Sequence, residues 1–186
     1  ASETATPDRR QRCSEFNKAA ISAIDAIDPA LVILNPYWTF PDLALTTTDG
    51  ESADGSAPFQ LGFERALSAI GAQHRKICVV GDVPTLEYSM PYAYAMARRR
   101  GLDPEFIALR SSEAEVQHRQ LDRHFAELQR RHPFTLVDPK ATLCAGGTCA
   151  IVSADGRSLY RDNNHLSVTG AQLLDGALEA CFDGIG

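Results

Sequence analysis

The sequence predicts an α/β protein with a doubly wound, mostly parallel sheet and helices on both faces. Three short, largely apolar runs, Leu31–Leu34, Lys76–Val80 and Phe134–Asp138, are typical of strands that are buried on both sides. Segments with helical spacing of apolar residues alternate with these runs, as in three-layer α/β folds. Ligands of such folds bind outside the carboxyl ends of the strands, so the site is expected in the loops there.

The helices are predicted from the spacing of apolar residues. A polar lead-in over residues 1–12 precedes a helix over Cys13–Ile27, and a C-terminal helix is predicted over Ser167–Phe182. Further helices are predicted over Phe59–Ala72, Tyr88–Arg100 and Glu113–Arg131.

Two other segments have turn-rich compositions. Pro41–Pro58 is rich in Thr, Asp, Gly and Ser and has no periodicity, which predicts a surface loop beside the site. Ile151–Ser153 and Ser158–Tyr160 flank an Asp-Gly pair and are predicted to form a small hairpin.

The length and charge narrow the possible functions. A chain of 186 residues suits one domain, here residues 1–186. Asp and Glu number 24 against 18 for Lys and Arg, which gives a net charge of −6 and argues against nucleic acid as a partner. No apolar run reaches the roughly 20 residues that span a bilayer, and the start has no signal-peptide pattern. We therefore expect a soluble chain that begins after any membrane segment.

The five cysteines have no spacing typical of a zinc site, so no metal is expected. Cys144 and Cys149 enclose two glycines that permit a tight turn, and a disulfide between them would indicate an oxidising compartment. Two buried free thiols are the alternative. The odd count leaves one cysteine over, either as a buried thiol or as the partner of a further segment.

Asp162 and His165 stand three residues apart, just before the predicted C-terminal helix. This spacing allows the carboxylate to accept a hydrogen bond from Nδ1 of the imidazole, which leaves Nε2 free to act as a general base. A histidine before a helix is also often a cap or a plain surface residue. The spacing by itself supports both interpretations.

A set of ordered motifs adds to this pattern. The string YRDNNHLSVTGA resembles the last block of SGNH hydrolases, in particular the SGNH domains that follow membrane acyltransferase-3 domains in bacterial polysaccharide O-acetyltransferases. VILNPYW, KICVVGDVPTLEYSMP and VDPKATLCAGGTC resemble the preceding strands and disulfide segment of that family, in the same order. The resemblance implies an SGNH or flavodoxin-like three-layer fold.

The resemblance assigns roles to two residues and leaves the nucleophile unassigned. It implies that His165 is the catalytic base and that Asp162 orients it. The nucleophile of the family is the serine of a Gly-Asp-Ser motif on the first strand, and this sequence has no Gly-Asp-Ser. Ser167, two residues past His165, is expected to cap the helix instead. Either the first strand and its serine lie upstream of this chain, or the protein is a pseudoenzyme that lost the serine.

The oxyanion-binding group is less well defined by the resemblance. Asn35 follows the first predicted strand and is a candidate donor, but it can equally be a turn residue before Pro36. Trp38 can occupy the same place in the fused acyltransferase subgroup. It is the lone tryptophan, and an active-site wall and a core position are both open for it.

The resemblance implies an O-acyltransferase, most simply an O-acetyltransferase, that acts on hydroxyls of a bacterial surface or periplasmic glycan through a Ser-His-Asp mechanism. The domain is then the C-terminal part of a membrane-anchored protein, on the periplasmic or extracytoplasmic face of the inner membrane. It binds no cofactor itself, and acetyl-CoA supplies the acyl group through the fused upstream membrane domain. The alternatives are an SGNH esterase or deacetylase, and a glycan-binding pseudoenzyme.

Overall fold

The computed structural model describes residues 7–38, 56–71 and 75–185. The helices and strands are α1 (Pro7–Ile27), β1 (Leu31–Leu34), α2 (Ser56–Gly71), β2 (Lys76–Val80), α3 (Met90–Arg99), α4 (Ser111–Gln129), β3 (Thr135–Val137), α5 (Pro139–Leu143), α6 (Val168–Gln172) and α7 (Asp175–Leu178). Two short 3-10 turns cover Pro104–Ile107 and Glu179–Cys181.

The three strands form one parallel sheet in the order β1-β2-β3. In the β1–β2 register Val32 pairs with Ile77 and Leu34 pairs with Val79, so these four side chains share one face. Consecutive parallel strands that are joined through helices define an α/β fold. The predicted fold class is confirmed.

The described residues divide into two compact units. Unit 1 takes its residues from Ala1–Val79, Gln120–Leu136 and Gly184–Gly186, and unit 2 takes its residues from Val80–Arg119 and Val137–Asp183. No observation bears on the prediction of a single domain over residues 1–186, which stays a prediction.

Unit 1 is built around a cluster of aromatic side chains. Trp38 is 4% exposed, and its ring centroid lies 4.8 Å from that of Phe63, 5.3 Å from Phe125 and 6.1 Å from Phe59. The shared sheet face of β1 and β2 joins this cluster, as do Leu67 and Ile70 of α2 and Leu121 and Leu128 of α4. Buried apolar area of this kind is the main stabilising term in a fold of this size.

Unit 2 has smaller clusters that are connected by backbone hydrogen bonds between loops. One cluster contains Leu86, Met90, Ile151, Leu159 and Tyr160, all at most 3% exposed. A second contains Ala114 and Leu143 with the cysteines Cys144 and Cys149. Chain segments that are far apart in sequence meet here without forming a ladder of strands, because the pairing consists of isolated bridges.

The helix boundaries correct several predictions. α1 begins at Pro7, so residues 7–12 are helical and the lead-in ends earlier than predicted. The predicted helix over Ser167–Phe182 is wrong as one element, because α6, α7 and a 3-10 turn divide it. Gly170 and Gly176, which have low helix propensity, fall inside this stretch.

Two loop predictions have different outcomes. The predicted hairpin consists of one antiparallel bridge between Val152 and Ser158, with Gly156 at a φ of 80° in its turn. Of the predicted loop Pro41–Pro58, residues 41–55 lie outside the described residues, and residues 56–58 begin α2. None of the helices in the described ranges combines the length and the apolar character that a bilayer-spanning segment needs.

Candidate active site

The Asp162–His165 turn carries the predicted hydrogen bond. Oδ2 of Asp162 lies 2.8 Å from Nδ1 of His165. Oδ1 of the same carboxylate accepts the main-chain N–H of Asn164 at 2.9 Å and of His165 at 2.8 Å. An aspartate that bonds the backbone two residues ahead forms an Asx turn, a conformation that Asp and Asn favour. Both carboxylate oxygens are therefore fixed within a four-residue segment.

These hydrogen bonds set the charge state of the carboxylate. The N–H of Asn164 is the largest cause that lowers the pKa of Asp162 below its ordinary value. Desolvation opposes this with the second-largest effect, and the main-chain N–H and the side chain of His165 then lower the pKa further. Asp162 is thus ionised at neutral pH, and the carboxylate can hold a proton on Nδ1 of His165.

The loop that follows β2 is attached to this turn at two points. The N–H of Leu86 donates to the carbonyl of Asn163 at 2.8 Å, and the N–H of Met90 donates to the carbonyl of Asp162 at 3.1 Å. The side chains of Leu86 and Met90 are buried in the neighbouring cluster. The position of the Asp–His pair therefore depends on the segment 86–90.

The start of α6 supports the turn from its other side. The N–H of Ser167 donates to the carbonyl of Leu159 at 2.9 Å, and Oγ of Ser167 donates to the carbonyl of Ser158 at 2.8 Å. The same Oγ accepts the N–H of Gly170 at 3.1 Å and caps the helix. A Cβ on Gly170 would lie 2.0 Å from the carbonyl oxygen of Leu159, so only glycine fits there.

Two serines of unit 2 are the candidates for a nucleophile within this chain. Ser167 uses its hydroxyl for the two bonds of the cap, in agreement with its predicted capping role. Ser89 is exposed at the start of α3 and makes no side-chain cap bond. Among the described residues, no recorded hydrogen bond joins either hydroxyl to His165.

Cys144 and Cys149 form a disulfide, as the first of the two alternatives predicted. The carbonyl of Cys144 accepts the hydroxyl of Ser111 at 2.6 Å, and the N–H of Cys149 donates to the carbonyl of Leu109 at 2.7 Å. Leu166, which follows His165, packs against the same cluster. The disulfide thus stabilises the surroundings of the Asp–His pair.

The other cysteines differ from the expectation of one buried leftover thiol. Cys78 and Cys181 are buried and disulfide-bonded. Cys13 is a free cysteine, and it is exposed on α1. The first alternative, a buried thiol, is therefore wrong for Cys13, because its helix presents that position to solvent. The second alternative, a partner in a further segment, stays a prediction.

The two predicted oxyanion candidates belong to unit 1, whereas Asp162 and His165 belong to unit 2. Trp38 lies in the aromatic core of unit 1, which is the core position left open by the sequence. Asn35 is exposed just after β1. A role for either residue at the site stays a prediction.

The sequence reasoning missed the groups that fix Asp162, namely the main-chain N–H groups of Asn164 and His165 and the attachment to Leu86 and Met90. The Asp-Asn-Asn run carries a signal for the first of these, because Asp and Asn favour Asx turns. The attachment joins residues 77 positions apart, and no local pattern predicts it.

Two further observations concern ligand sites. Within the described ranges, no group of three or more His, Cys, Asp or Glu side chains could hold a metal ion. A cavity of about 420 Å³ in unit 1 is lined in part by Leu67, Arg75 and His132. Arg75 is paired there with Asp25 and Asp28, both at 2.9 Å, and none of the predicted catalytic residues lines this cavity.

The family model described as an SGNH domain fused to AT3 domains matches residues 2–180. The chain belongs to this family. The SGNH domain is also similar to a solved structure, the periplasmic domain of the Salmonella ser. Paratyphi A lipopolysaccharide acetyltransferase. The two share 16% sequence identity at a TM-score of 0.63, over 89% of this chain and 61% of the Salmonella chain. The SGNH domain thus spans less than two thirds of that structure. No match to a curated protein was found for this sequence.

Proposed function

We propose that this SGNH domain transfers an acyl group, in the simplest case acetyl, to a hydroxyl of a bacterial surface or periplasmic glycan. The observation that carries the proposal is the 2.8 Å hydrogen bond between Asp162 and Nδ1 of His165 in the last motif of an SGNH-family chain. An imidazole held in this way presents Nε2 as a general base. The similarity to the periplasmic domain of a Salmonella lipopolysaccharide acetyltransferase supports the acyl-transfer chemistry and the glycan class.

The reaction has two steps, and in each of them His165 takes a proton from the attacking hydroxyl and gives it to the leaving group. In the first, Nε2 of His165 takes the proton of a serine hydroxyl while its oxygen attacks the acyl carbonyl carbon, and the leaving group departs with that proton. In the second, Nε2 takes the proton of the acceptor hydroxyl, whose oxygen attacks the serine ester. The serine oxygen leaves and regains a proton from His165. Asp162 stabilises the imidazolium that exists during each step.

The serine in this proposal comes from a part of the polypeptide outside these 186 residues, because the sequence has no Gly-Asp-Ser motif. The fused membrane acyltransferase domain supplies the acyl group, with acetyl-CoA as the ultimate donor and no cofactor held by the SGNH domain. The domain then acts on the periplasmic or extracytoplasmic side of the inner membrane. The Cys144–Cys149 disulfide supports this location, since such bonds persist in oxidising compartments.

Hydrolysis is the competing activity of the same site. An esterase or deacetylase would deliver water where the transferase delivers a sugar hydroxyl, with the same roles for Asp162 and His165. A glycan-binding pseudoenzyme would retain the Asp–His pair without any serine to acylate. The experiment below separates these functions.

The test compares the 186-residue chain with a longer polypeptide that extends upstream through a Gly-Asp-Ser motif. The 186-residue chain should not hydrolyse 4-nitrophenyl acetate above background, because it lacks the group that becomes acylated. The longer polypeptide should hydrolyse the ester and acetylate an O-deacetylated lipopolysaccharide polysaccharide. His165→Ala should lower both rates by about 10³-fold or more, and Asp162→Asn by a similar factor, as in other triads.

His132→Gln is the matched control, since His132 belongs to unit 1 and contacts Glu64 at 3.3 Å. It should leave both rates within about twofold of wild type. Ester hydrolysis without transfer to any glycan would favour the esterase. If the longer polypeptide is inactive, or if His165→Ala retains full activity, the proposed mechanism is wrong. His165-dependent hydrolysis by the 186-residue chain alone would place the nucleophile within it, with Ser89 as the first candidate.

A further inference from the structure

The segment between Leu86 and Met90 is fixed beside the Asp–His pair. Its two end residues donate main-chain hydrogen bonds to Asn163 and Asp162 at 2.8 and 3.1 Å. Their side chains are 2% and 0% exposed, so packing holds both ends as well. A residue between the two anchors lies within about two residue lengths of the pair, roughly 7 Å along the chain.

Two tyrosines of this region point away from the packed cluster. Tyr88 is 50% exposed and Tyr92 is 71% exposed, although Leu86 and Met90, which lie two residues before and two residues after Tyr88, are buried. Val168, three residues after His165, is 79% exposed. Large apolar groups at the surface are individually ordinary. Tyr88 lies between the two anchors and Tyr92 lies two residues after Met90, so the chain itself keeps both tyrosines close to the Asp–His turn.

The hydroxyl of Tyr88 is influenced by its neighbour Glu87, whose carboxylate is the main cause that raises the pKa of Tyr88 above its ordinary value. Tyrosine has only two side-chain torsions, so a rigid ring of this kind offers contact area at low entropic cost. An anchored backbone lowers the cost of binding further, since little has to become ordered.

The proposed reaction requires a sugar close to His165. The acceptor hydroxyl has to reach Nε2 of His165 within about 3 Å, so the rest of its ring must rest on the surface next to the pair. A pyranose has faces of C–H groups that pack on aromatic rings, and an edge of hydroxyls that bonds carboxylates and amides. The polar groups at hand are the Glu87 carboxylate and the partly buried Asn163 and Asn164.

We propose that Tyr88 and Tyr92 form the face on which the acceptor glycan stacks, with one pyranose ring placed next to His165. This inference rests on the proposed function, and it names residues that select the acceptor rather than residues that perform the acyl transfer. Two tyrosine rings are too small a surface for a stable protein–protein interface, which buries about 1,200 Å² or more. They match the size of one or two sugar units.

The test measures glycan binding by the 186-residue chain, because stacking needs no nucleophile. The probe is the O-deacetylated polysaccharide of Salmonella lipopolysaccharide, and saturation-transfer NMR and calorimetry report its binding. Tyr88→Ala and Tyr92→Ala should each weaken the affinity about tenfold, whereas Tyr92→Phe should retain it because the ring remains. Phe106→Ala is the matched control, since Phe106 is 83% exposed on the 3-10 turn Pro104–Ile107 and should not affect binding.

The results separate this inference from the proposed function. If the wild-type chain binds no polysaccharide, or if Tyr88→Ala and Tyr92→Ala bind as tightly as wild type, the stacking face is wrong. His165-dependent ester hydrolysis by the longer polypeptide would then still support the proposed chemistry. If that hydrolysis fails while the tyrosines do bind glycan, the site is a lectin-like surface and the acyl-transfer function is wrong. Circular dichroism of each variant checks that a loss of binding does not come from unfolding.

Discussion

Unit 1 and unit 2 are stabilised in different ways. In unit 1, aromatic side chains of α2 and α4 pack around Trp38, which follows β1. In unit 2, the backbone of one loop bonds the backbone of another, and a disulfide and a tight helix–loop contact reinforce the arrangement. Packed cores tolerate changes that keep volume and apolar character. A hydrogen-bonded loop instead restrains the position of individual side chains, and a catalytic site needs its groups held to within about 0.5 Å.

The largest expected effect comes from opening the core of unit 1. Phe125 is 1% exposed and contacts Trp38, Phe63 and Phe134. Phe125→Ala should lower the free energy of unfolding by about 4 kcal/mol through lost burial and the cavity that remains. Urea denaturation followed by the fluorescence of Trp38, the lone tryptophan, measures the change. Phe106→Ala should change it by less than about 0.5 kcal/mol, and an equal loss in the two variants would contradict the role of this core.

Adding one methyl group at Gly170 should destabilise the protein almost as much as Phe125→Ala. Gly170→Ala places a Cβ 2.0 Å from the carbonyl oxygen of Leu159, and backbone atoms of both segments must move apart. The expected destabilisation is about 3 kcal/mol, with a shift of the His165 amide resonance because the cap of α6 supports that turn. Gly176→Ala, which meets no atom within 4 Å, is the matched control. Wild-type stability in Gly170→Ala would show that the contact at Leu159 relaxes without cost.

Removal of the Tyr160 hydroxyl should have a smaller effect on stability, and it should stabilise the protein. Tyr160 is fully buried, and within the part of the chain that the structure describes its hydroxyl has no hydrogen-bond partner. Burial raises the pKa of this phenol above its ordinary value. Tyr160→Phe removes an unsatisfied polar atom and should stabilise the protein by about 1 kcal/mol in thermal unfolding. A loss of stability would indicate that the hydroxyl is satisfied by water.

The smallest expected effect is a dependence on pH. The pKa of Asp162 is below its unfolded value of 3.8, so its ionised form contributes stability that is present above pH 3.8. That contribution is lost as the pH falls through the lower folded pKa. The difference in melting temperature between wild type and Asp162→Asn should therefore be constant from about pH 7 to pH 5 and shrink below pH 3.8. A difference that grows on acidification would mean that the carboxylate is not held in its charged form.

The sequence predicted the features that depend on residues close together in the chain. The strands at residues 31–34 and 76–80 match the predictions because short apolar runs with turn residues after them have few alternatives. The spacing of Asp162 and His165 predicted their hydrogen bond for the same reason, since all the atoms involved lie within four residues. The Gly146-Gly147 turn likewise allowed the disulfide to be anticipated.

The rest depends on contacts between distant segments. The bonds from Leu86 and Met90 to the Asp–His turn, and the close approach of Gly170 to Leu159, follow from tertiary packing that no periodicity records. The break of the C-terminal helix into α6 and α7 has a local cause as well, because Gly170 and Gly176 have low helix propensity. Packing adds to it, since Leu174 between them is buried and 6% exposed.

The hydrogen bonds of the Asp162–His165 turn should also form at different times during folding. The bond between Asp162 and His165 spans three residues, so it can form within the time that a short loop needs to close, well under a microsecond. The link between Asn163 and Leu86 spans 77 residues and must wait until the intervening chain has lost most of its conformational entropy. During refolding the imidazole therefore acquires its carboxylate partner early and its final position late. Recovery of the native amide resonance of His165 should therefore follow the slower of these two events.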